Sequence, residues 1–265
     1  MSPRGEEQYP VRRTGSAPFR TSRRAFDDLT VVVKRFPHPS PVDGPAFVLV
    51  HGIGVSSRYF HPTAAELAKR GPVYLVDLPG YGAAPDPKRD VSIADHAGVL
   101  ARVLEDSGLN NPVLVGHSMG AQVVSRLAVD SPEVTDRLVL LAPTMPIGER
   151  TLWRGATRLL IDARRNPLRA NLVIVWDYFV RCGMPYFFRQ VPHLFGDHIE
   201  DRLHLIGART LVVCGDKDLV VPADWAMFVA DGIPLGRFAS AHGPHVVQYT
   251  DPVNVAKLIV EHAAR

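Results

Sequence analysis

The chain has 265 residues, 46% of them hydrophobic, and a formal net charge of +3. This length and composition favour one large core with an inserted segment, and they exclude fibrous and low-complexity proteins. Residues 1–25 hold six arginines and two glutamates, a net charge of +4, which leaves −1 for the rest of the chain. The folded body therefore gives no electrostatic reason to expect a nucleic-acid partner.

The N-terminal residues and the cysteines bear on location. No apolar run reaches the ~18 residues that a membrane span needs, and the first residues lack the apolar stretch of a signal peptide. Cys182 and Cys214 are too few and too scattered for a disulfide framework or a zinc site. We therefore expect a cytoplasmic protein without a membrane span, in which residues 1–25 form a flexible basic arm.

Apolar runs of strand length alternate with segments of helical spacing through most of the chain. The first strand, Leu29–Phe36, is followed by prolines, which favours a position near a sheet edge. Further strands are predicted at 46–50, 73–76, 113–115, 137–142, 208–213 and 237–239, and helices at 59–70, 92–105, 121–129, 223–230 and 252–264. Nearly all-apolar strands between amphipathic helices indicate an α/β fold, with a mostly parallel central sheet covered by helices on both faces.

The segment from about residue 144 to residue 205 interrupts this alternation. It has no clear strand pattern and is rich in aromatic residues: Trp153, Trp176, Tyr178, Phe179, Tyr186, Phe187, Phe188 and Phe195. We expect most of them to pack between this segment and the body of the protein, and some to line a substrate pocket, because a pocket needs apolar walls.

A sharp transition from strand to helix is predicted around Ser118. The apolar run 113–115 stops at Gly116, and apolar residues at helical spacing resume at Ala121. A strand that becomes a helix within about two residues forces the corner residue into a strained backbone, and Gly116 and Gly120 let the two segments cross closely. The hydroxyl of Ser118 should then project at the carboxyl edge of the sheet.

The stretch Gly116-His117-Ser118-Met119-Gly120 resembles the nucleophile elbow of the alpha/beta-hydrolase family. The resemblance implies that Ser118 is the nucleophile. It covers residues 26–143 and 206–265 as the hydrolase core, and in that family an insertion at 144–205 forms a helical cap over the active site.

Two further segments are similar to the same family. In the first, His51-Gly52-Ile53-Gly54 follows an apolar strand, and by this match the backbone N–H groups of Ile53 and Met119 would form the oxyanion hole. In the second, residues 77–82 read Asp-Leu-Pro-Gly-Tyr-Gly. We interpret this second segment as a structural turn with glycines at positive-φ positions.

A serine nucleophile needs a base, and the base needs an orienting acid. In this family the chain order is nucleophile, acid, histidine. His245 is the predicted base because its seven-residue distance to Pro252 resembles the family's histidine segment, and His242 is the alternative. Asp218 is the predicted acid because it fits the family pattern Gly-x-x-Asp-x-x-x-Pro, which leaves Asp216 as a turn residue.

These assignments predict a serine hydrolase that works through an acyl-enzyme and needs no metal or organic cofactor. The leading hypothesis is cleavage of a carboxylic ester, thioester or lactone of a small, largely apolar substrate. A second is carbon-carbon bond hydrolysis, since Gln248 is similar to a residue of the meta-cleavage-product hydrolases, although those enzymes usually have Asn where His117 stands and Trp where Val246 stands. A third is a ligand-binding protein on the same fold with slow turnover.

Overall fold

The computed structural model describes residues 7–14, 17–37 and 44–265. In this part of the chain, nine strands form one sheet in the order β1-β2-β3-β5-β4-β6-β7-β8-β9. The strands are β1 (Glu7–Thr14), β2 (Ala17–Phe26), β3 (Leu29–Phe36), β4 (Phe47–Val50), β5 (Val73–Asp77), β6 (Val113–His117), β7 (Arg137–Leu141), β8 (Arg209–Gly215) and β9 (Gly236–Ala241). Strands β4 to β9 pair in parallel, whereas β1, β2 and β3 pair antiparallel. The mostly parallel sheet predicted from the sequence is confirmed.

Helices cover both faces of this sheet. They are α1 (His61–Leu67), α2 (Ile93–Asp106), α3 (Met119–Asp130), α4 (Leu152–Ala163), α5 (Leu168–Trp176), α6 (Met184–Gly196), α7 (Ala223–Asp231), α8 (Val247–Thr250) and α9 (Pro252–Ala263). Alternate strand residues enter different cores: Val48 and Val50 pack with α2, α3 and α7, whereas Phe47 and Leu49 pack with α1 and α9. The two-residue period of a strand therefore accounts for the two helical layers.

The N-terminal region differs from the sequence-based expectation. Strand β2 crosses the predicted boundary at residue 25 and pairs with β3 from Arg20 to Phe26, so these residues are not a flexible arm, and β3 is the third strand from the edge of the sheet. Residues 1–6 and 15–16 of the predicted arm lie outside the described residues. Phe19 is buried and stacks on Phe36 with ring centroids 5.0 Å apart, and Arg24 forms an ion pair with Asp106 at 3.0 Å. Three of the arginines that suggested disorder, Arg20, Arg23 and Arg24, thus belong to a paired strand.

Helices and helical turns fill the chain between β7 and β8, where residues 142–208 contain no strand. Besides α4, α5 and α6, this stretch has a π-helical turn at Asp177–Cys182 and 3-10 turns at Ile147–Glu149 and Ile199–Leu205. We call residues 144–205 the helical insertion. Its side chains reach the carboxyl edge of the parallel strands, where the site described next is located.

Candidate active site

Ser118 lies at the corner between β6 and α3, with φ 53° and ψ −118°. A non-glycine residue in such a conformation costs about 1–3 kcal/mol and persists only where the surroundings hold it. Here the amide of Ser118 donates to the Leu141 carbonyl at 3.0 Å. A Cβ at Gly116 would collide with the carbonyl of Gly120, and a Cβ at Gly120 with that of Val50, so both glycines are required for the close crossing. The sequence prediction of a strained strand-to-helix corner is confirmed.

His245 and Asp218 form a buried pair. The Nδ1 of His245 lies 2.9 Å from Asp218 Oδ2, and the two side chains are 5% and 0% exposed. The other oxygen of Asp218 accepts the amides of Val220 at 2.7 Å and Val221 at 2.9 Å. Because a carboxylate only accepts, Nδ1 of His245 carries the proton, which leaves Nε2 of this imidazole as an acceptor. Burial acts to lower the pKa of His245, but the adjacent Asp218 carboxylate raises it above its ordinary value.

The alternative residues form a separate pair on the surface. His242 Nδ1 lies 3.0 Å from Asp216 Oδ2, with side chains that are 70% and 44% exposed. Of these two histidines, His245 lines the cavity that contains Ser118 and His242 does not. The structure therefore favours His245 over His242 as the candidate base, a choice that the sequence left open.

One cavity brings Ser118, His245 and the loop after β4 together. Val50 of β4 lies beside Gly116 of β6 in the parallel register, so the loops that follow these strands meet at the same edge. Gly52 and Ile53 line the cavity, and Met119 lies buried at the start of α3, where helix amides lack intrahelical partners. The remaining walls are mostly apolar: Val55, Tyr59, Met145, Leu159, Ile174, Tyr178, Leu194, Phe195, Val220 and Val246.

His117 connects the loops on both sides of the cavity. The Gly52 amide donates to the Tyr59 hydroxyl at 2.9 Å, the hydroxyl is 2.7 Å from Nδ1 of His117, and Nε2 of His117 is 3.0 Å from the His245 carbonyl. Since a carbonyl only accepts, His117 donates from Nε2 and accepts a hydrogen bond from the Tyr59 hydroxyl at Nδ1. Burial lowers the pKa of His117 well below its usual value, so the ring is neutral. His117 therefore connects the two loops and is not free to act as a base, and no sequence pattern indicated Tyr59 as its partner.

His51 and Asp77 hold the neighbouring loops. His51 Nδ1 lies 2.8 Å from the Gly52 carbonyl, and its Nε2 accepts the Leu78 amide at 3.0 Å. Burial acts to raise the pKa of Asp77, but Lys34, 2.9 Å away, holds it well below its usual range. Gly80 and Gly82 in the following turn have φ of 83° and 62°. The interpretation of this segment as a structural turn with positive-φ glycines is confirmed.

Two buried carboxylates of the helical insertion bind opposite sides of the cavity. Asp162 of α4 accepts the His245 amide at 3.0 Å and the Leu219 amide at 3.3 Å. Asp177 of the π-helical turn accepts the amide and hydroxyl of Ser56 at 3.0 and 2.6 Å. Burial and the nearby Asp218 raise the pKa of Asp162. These contacts tie the insertion to the loops of the acid and base on one side and to the loop after β4 on the other.

Thr144 and Arg150 are polar residues of the cavity wall with different surroundings. The Thr144 hydroxyl is buried without a hydrogen-bond partner within the described residues, and the backbone at Thr144 has φ 26°. Arg150 is satisfied, because its two terminal nitrogens bind both oxygens of Glu200 at 2.8 and 2.6 Å. Of these two residues, Thr144 is therefore the one with unused hydrogen-bonding capacity.

Metal-ligating side chains approach one another outside this cavity. Across residues 7–14, 17–37 and 44–265, the one such cluster is His198, Glu200 and Asp201, with potential ligand atoms within 4.8 Å. Both oxygens of Glu200 already accept from Arg150, so this cluster forms part of an ion-pair network. Within the same ranges, no helix has the length and apolar character needed to cross a bilayer.

Comparisons with known proteins agree with this fold. Residues 45–192, more than half of the chain, match the family model of the alpha/beta hydrolase fold. The chain belongs to the alpha/beta-hydrolase family.

Individual relatives in this family differ in how much of the chain they cover. An uncharacterized protein of Mycobacterium tuberculosis (strain ATCC 25618 / H37Rv) is 36% identical over 99 residues, which are 37% of this chain and 29% of that protein, so the match spans less than a third of the relative. RutD of Escherichia coli O9:H4 (strain HS), a proposed carbamate hydrolase, is 27% identical and aligned over 85% of this chain and 94% of its own. The enol-lactonase from Burkholderia xenovorans LB400 superposes with a TM-score of 0.78 at 18% identity, covering 92% of this chain and 100% of that chain. This last likeness shows the fold alone.

Proposed function

We propose that this protein is a serine hydrolase that cleaves a carboxylic ester, thioester or lactone of a small, largely apolar substrate. In this proposal His245 Nε2 takes the proton of Ser118 as the hydroxyl attacks the carbonyl carbon, and Asp218 stabilises the resulting imidazolium. The N–H groups of Ile53 and Met119 bind the oxyanion of the tetrahedral intermediate. The protonated His245 then gives its proton to the leaving alcohol or thiol, and a water molecule releases the acyl group by the same path.

The observation that supports this proposal best is the buried 2.9 Å contact of Asp218 with His245, which lines the same cavity as the strained Ser118. Both oxygens of Asp218 have partners, so the imidazole is fixed in the tautomer that accepts a proton at Nε2. The raised pKa of His245 also favours the imidazolium that forms during attack.

The apolar wall supports a substrate with an apolar acyl or alkoxy group. We further propose that the helical insertion acts as a cap over the site, because Leu159, Ile174 and Phe195 contribute to the wall and Asp162 and Asp177 bind the loops beneath it. Closing the cavity against water would strengthen the electrostatic interactions in it.

The test is steady-state hydrolysis of p-nitrophenyl esters with short, medium and long acyl chains by the intact protein. The expected result is turnover that falls by up to ~10⁶-fold in Ser118→Ala, and that is strongly reduced in His245→Gln and Asp218→Asn. The matched control is His242→Gln, which removes the exposed histidine and should leave kcat/KM unchanged. Folded protein without turnover on any ester would refute the esterase proposal, and a single burst of product followed by silence would favour a slow ligand-binding protein.

A carbamate is the second candidate substrate. The alignment with RutD runs through 85% of this chain, and a carbamate presents the same kind of carbonyl to a serine nucleophile. Parallel assays with an ester and a carbamate of the same alkoxy group would rank the two by kcat/KM. For carbon-carbon bond hydrolysis, Gln248 gives no added support, because it is not among the residues that line the cavity.

A further inference from the structure

Large apolar side chains are exposed mainly on the helical insertion. In the part of the chain that the structure describes, twelve of the seventeen exposed large hydrophobic residues lie between positions 147 and 188. They are Ile147, Leu152, Trp153, Leu160, Ile161, Leu168, Leu172, Val175, Trp176, Phe179, Val180 and Phe188. Single exposed apolar residues are ordinary, but a concentration of this kind marks an interaction surface.

Helix α5 presents an apolar face to the outside. Leu168, Leu172, Val175, Trp176 and Phe179 follow helical spacing on one side of α5 and the π-helical turn, and they are 73%, 61%, 53%, 53% and 65% exposed. The opposite side supplies Ile174 to the cavity and the buried Asp177. The helix is therefore apolar both toward the protein and toward the solvent.

Helix α4 shows the same arrangement. Its outer side carries Trp153 at 78% and Leu160 at 69% exposed, and its inner side carries Leu159 in the cavity wall and the buried Asp162. The side chain of Asn171 in α5 donates to the Ala163 carbonyl at 2.7 Å, so the two helices adjoin. We call the outer sides of α4, α5 and the π-helical turn the apolar face.

The charges around the apolar face have one sign. Residues 151–181 contain six arginines, two aspartates and no lysine or glutamate. Both aspartates, Asp162 and Asp177, are buried, at 2% and 0% exposed. Arg154, Arg164, Arg165 and Arg169 are exposed, so the charge presented to a partner is positive. Exposed bulky apolar residues flanked by arginines are typical of helices that lie in the interface of an anionic membrane.

We propose that the apolar face docks on an anionic lipid surface, with Trp153, Trp176 and Phe179 entering the headgroup region and the arginines contacting lipid phosphates. A second copy of the chain is a poorer occupant, because a twofold contact through this face would bring the arginines of one copy against those of the other. Docking would also place the cavity close to the lipid, because α4 and α5 contribute to its wall. An apolar substrate concentrates in lipid, so this position would bring the substrate near the site.

The experiment uses the full-length protein with phosphatidylcholine vesicles and with vesicles that also contain phosphatidylglycerol. Binding is measured by co-sedimentation and by tryptophan emission, because Trp153 and Trp176 are exposed whereas Trp225 is only 8% exposed. We expect binding to the anionic vesicles with a blue shift of the emission, and weaker binding as salt is raised.

Matched variants localise the contact. Each arginine near an anionic surface contributes about fivefold in partitioning, so Arg164→Gln with Arg169→Gln should weaken binding ~30-fold. Arg70→Gln with Arg237→Gln, two exposed arginines outside the insertion, should leave binding unchanged. Leu168→Ser with Leu172→Ser should also weaken binding, whereas Val253→Ser, at a site 64% exposed on α9, should not.

Three results would overturn the proposal. The first is folded protein that binds neither kind of vesicle, and the second is binding that the control variants reduce as much as the test variants do. The third is self-association in lipid-free buffer that is abolished by Leu168→Ser with Leu172→Ser, because this result would assign the apolar face to a second copy of the chain. Binding by Ser118→Ala should equal that of the unaltered protein, so failure of the lipid proposal and failure of the hydrolase proposal are separate outcomes.

Discussion

The buried carboxylate of Asp162 joins the insertion to both loops of the predicted acid–base pair. Its two oxygens accept the amides of His245 and Leu219, which belong to the loops after β9 and β8. The carboxylate lies 83 positions before His245 in the sequence. We expect Asp162 to position His245 for proton transfer and to add a negative charge near its ring.

The structure gives the size of the effect of Asp162→Asn. A hydrogen bond to a charged group contributes about 1.5–3 kcal/mol, and the neutral amide replaces this acceptor and turns an N–H group toward one of the two donors. If the full free energy of the hydrogen bond to the His245 amide is lost from the transition state, kcat/KM falls about 10- to 150-fold. Thermal stability should fall as well, because two buried amides lose their charged partner.

The pH dependence of kcat/KM distinguishes a specific effect of Asp162 on His245 from a general loss of structure. Besides Asp218, the negative charge of Asp162 raises the pKa of His245. The base must be neutral to accept a proton, so activity rises with pH through this pKa. Asp162→Asn removes one raising influence, so the acid limb of the kcat/KM profile should move to lower pH.

The matched control is Asp177→Asn, the other buried carboxylate of the insertion, which binds Ser56 and Arg58 instead. This variant should lower stability and leave the acid limb in place. Profiles of kcat/KM against pH for the three proteins provide the test. An unchanged acid limb in Asp162→Asn, or an equal shift in both variants, would contradict the effect of Asp162 on His245.

Two further predictions concern other polar groups of the cavity. Tyr59→Phe leaves the Gly52 amide and Nδ1 of His117 without their partner, so we expect a loss of about 1–3 kcal/mol of stability and a fall in kcat with little change in KM. Urea unfolding measures the stability, and steady-state kinetics measure kcat and KM. An unchanged kcat would contradict a role for the Gly52–Tyr59–His117 contacts at the site. Thr144→Val removes a buried hydroxyl without a partner, so stability should stay level or rise by about 1 kcal/mol, while KM for esters with a polar group should increase. Thr144→Ser, which keeps the hydroxyl, should retain the KM, and equal KM values in all three proteins would count against a substrate contact.

Local sequence patterns were sufficient for the parts of the site that depend on neighbours in the chain. The glycines around Ser118 determine the strained corner, and the apolar runs determine the parallel strands that bring the following loops to one edge. Asp218 and His245 follow β8 and β9, so their meeting at that edge could be expected from chain order. The structure adds the burial that distinguishes His245 from His242.

The contacts that the sequence did not indicate join distant segments. Asp162 lies in an insertion without strand pattern, and nothing around it in sequence shows that its carboxylate meets the His245 amide. Tyr59 is the first residue of the predicted helix 59–70, and nothing in this pattern shows that its hydroxyl lies 2.7 Å from Nδ1 of His117, 58 residues later. The prediction of a flexible arm was wrong for residues 20–25 for another reason. Arg20, Arg23 and Arg24 are typical of a solvated segment, and only the structure shows that β2 pairs with β3 and that Phe19 stacks on Phe36.

The central claim is that Ser118 is a nucleophile activated by His245 and Asp218. The most direct measurement is the rate and site of covalent labelling by a fluorophosphonate, with the modified residue identified by peptide mass spectrometry. We expect one label per chain at Ser118, no label in Ser118→Ala, and a labelling rate that falls strongly in His245→Gln but not in His242→Gln. A label on another residue, or an equal rate in His245→Gln, would contradict it.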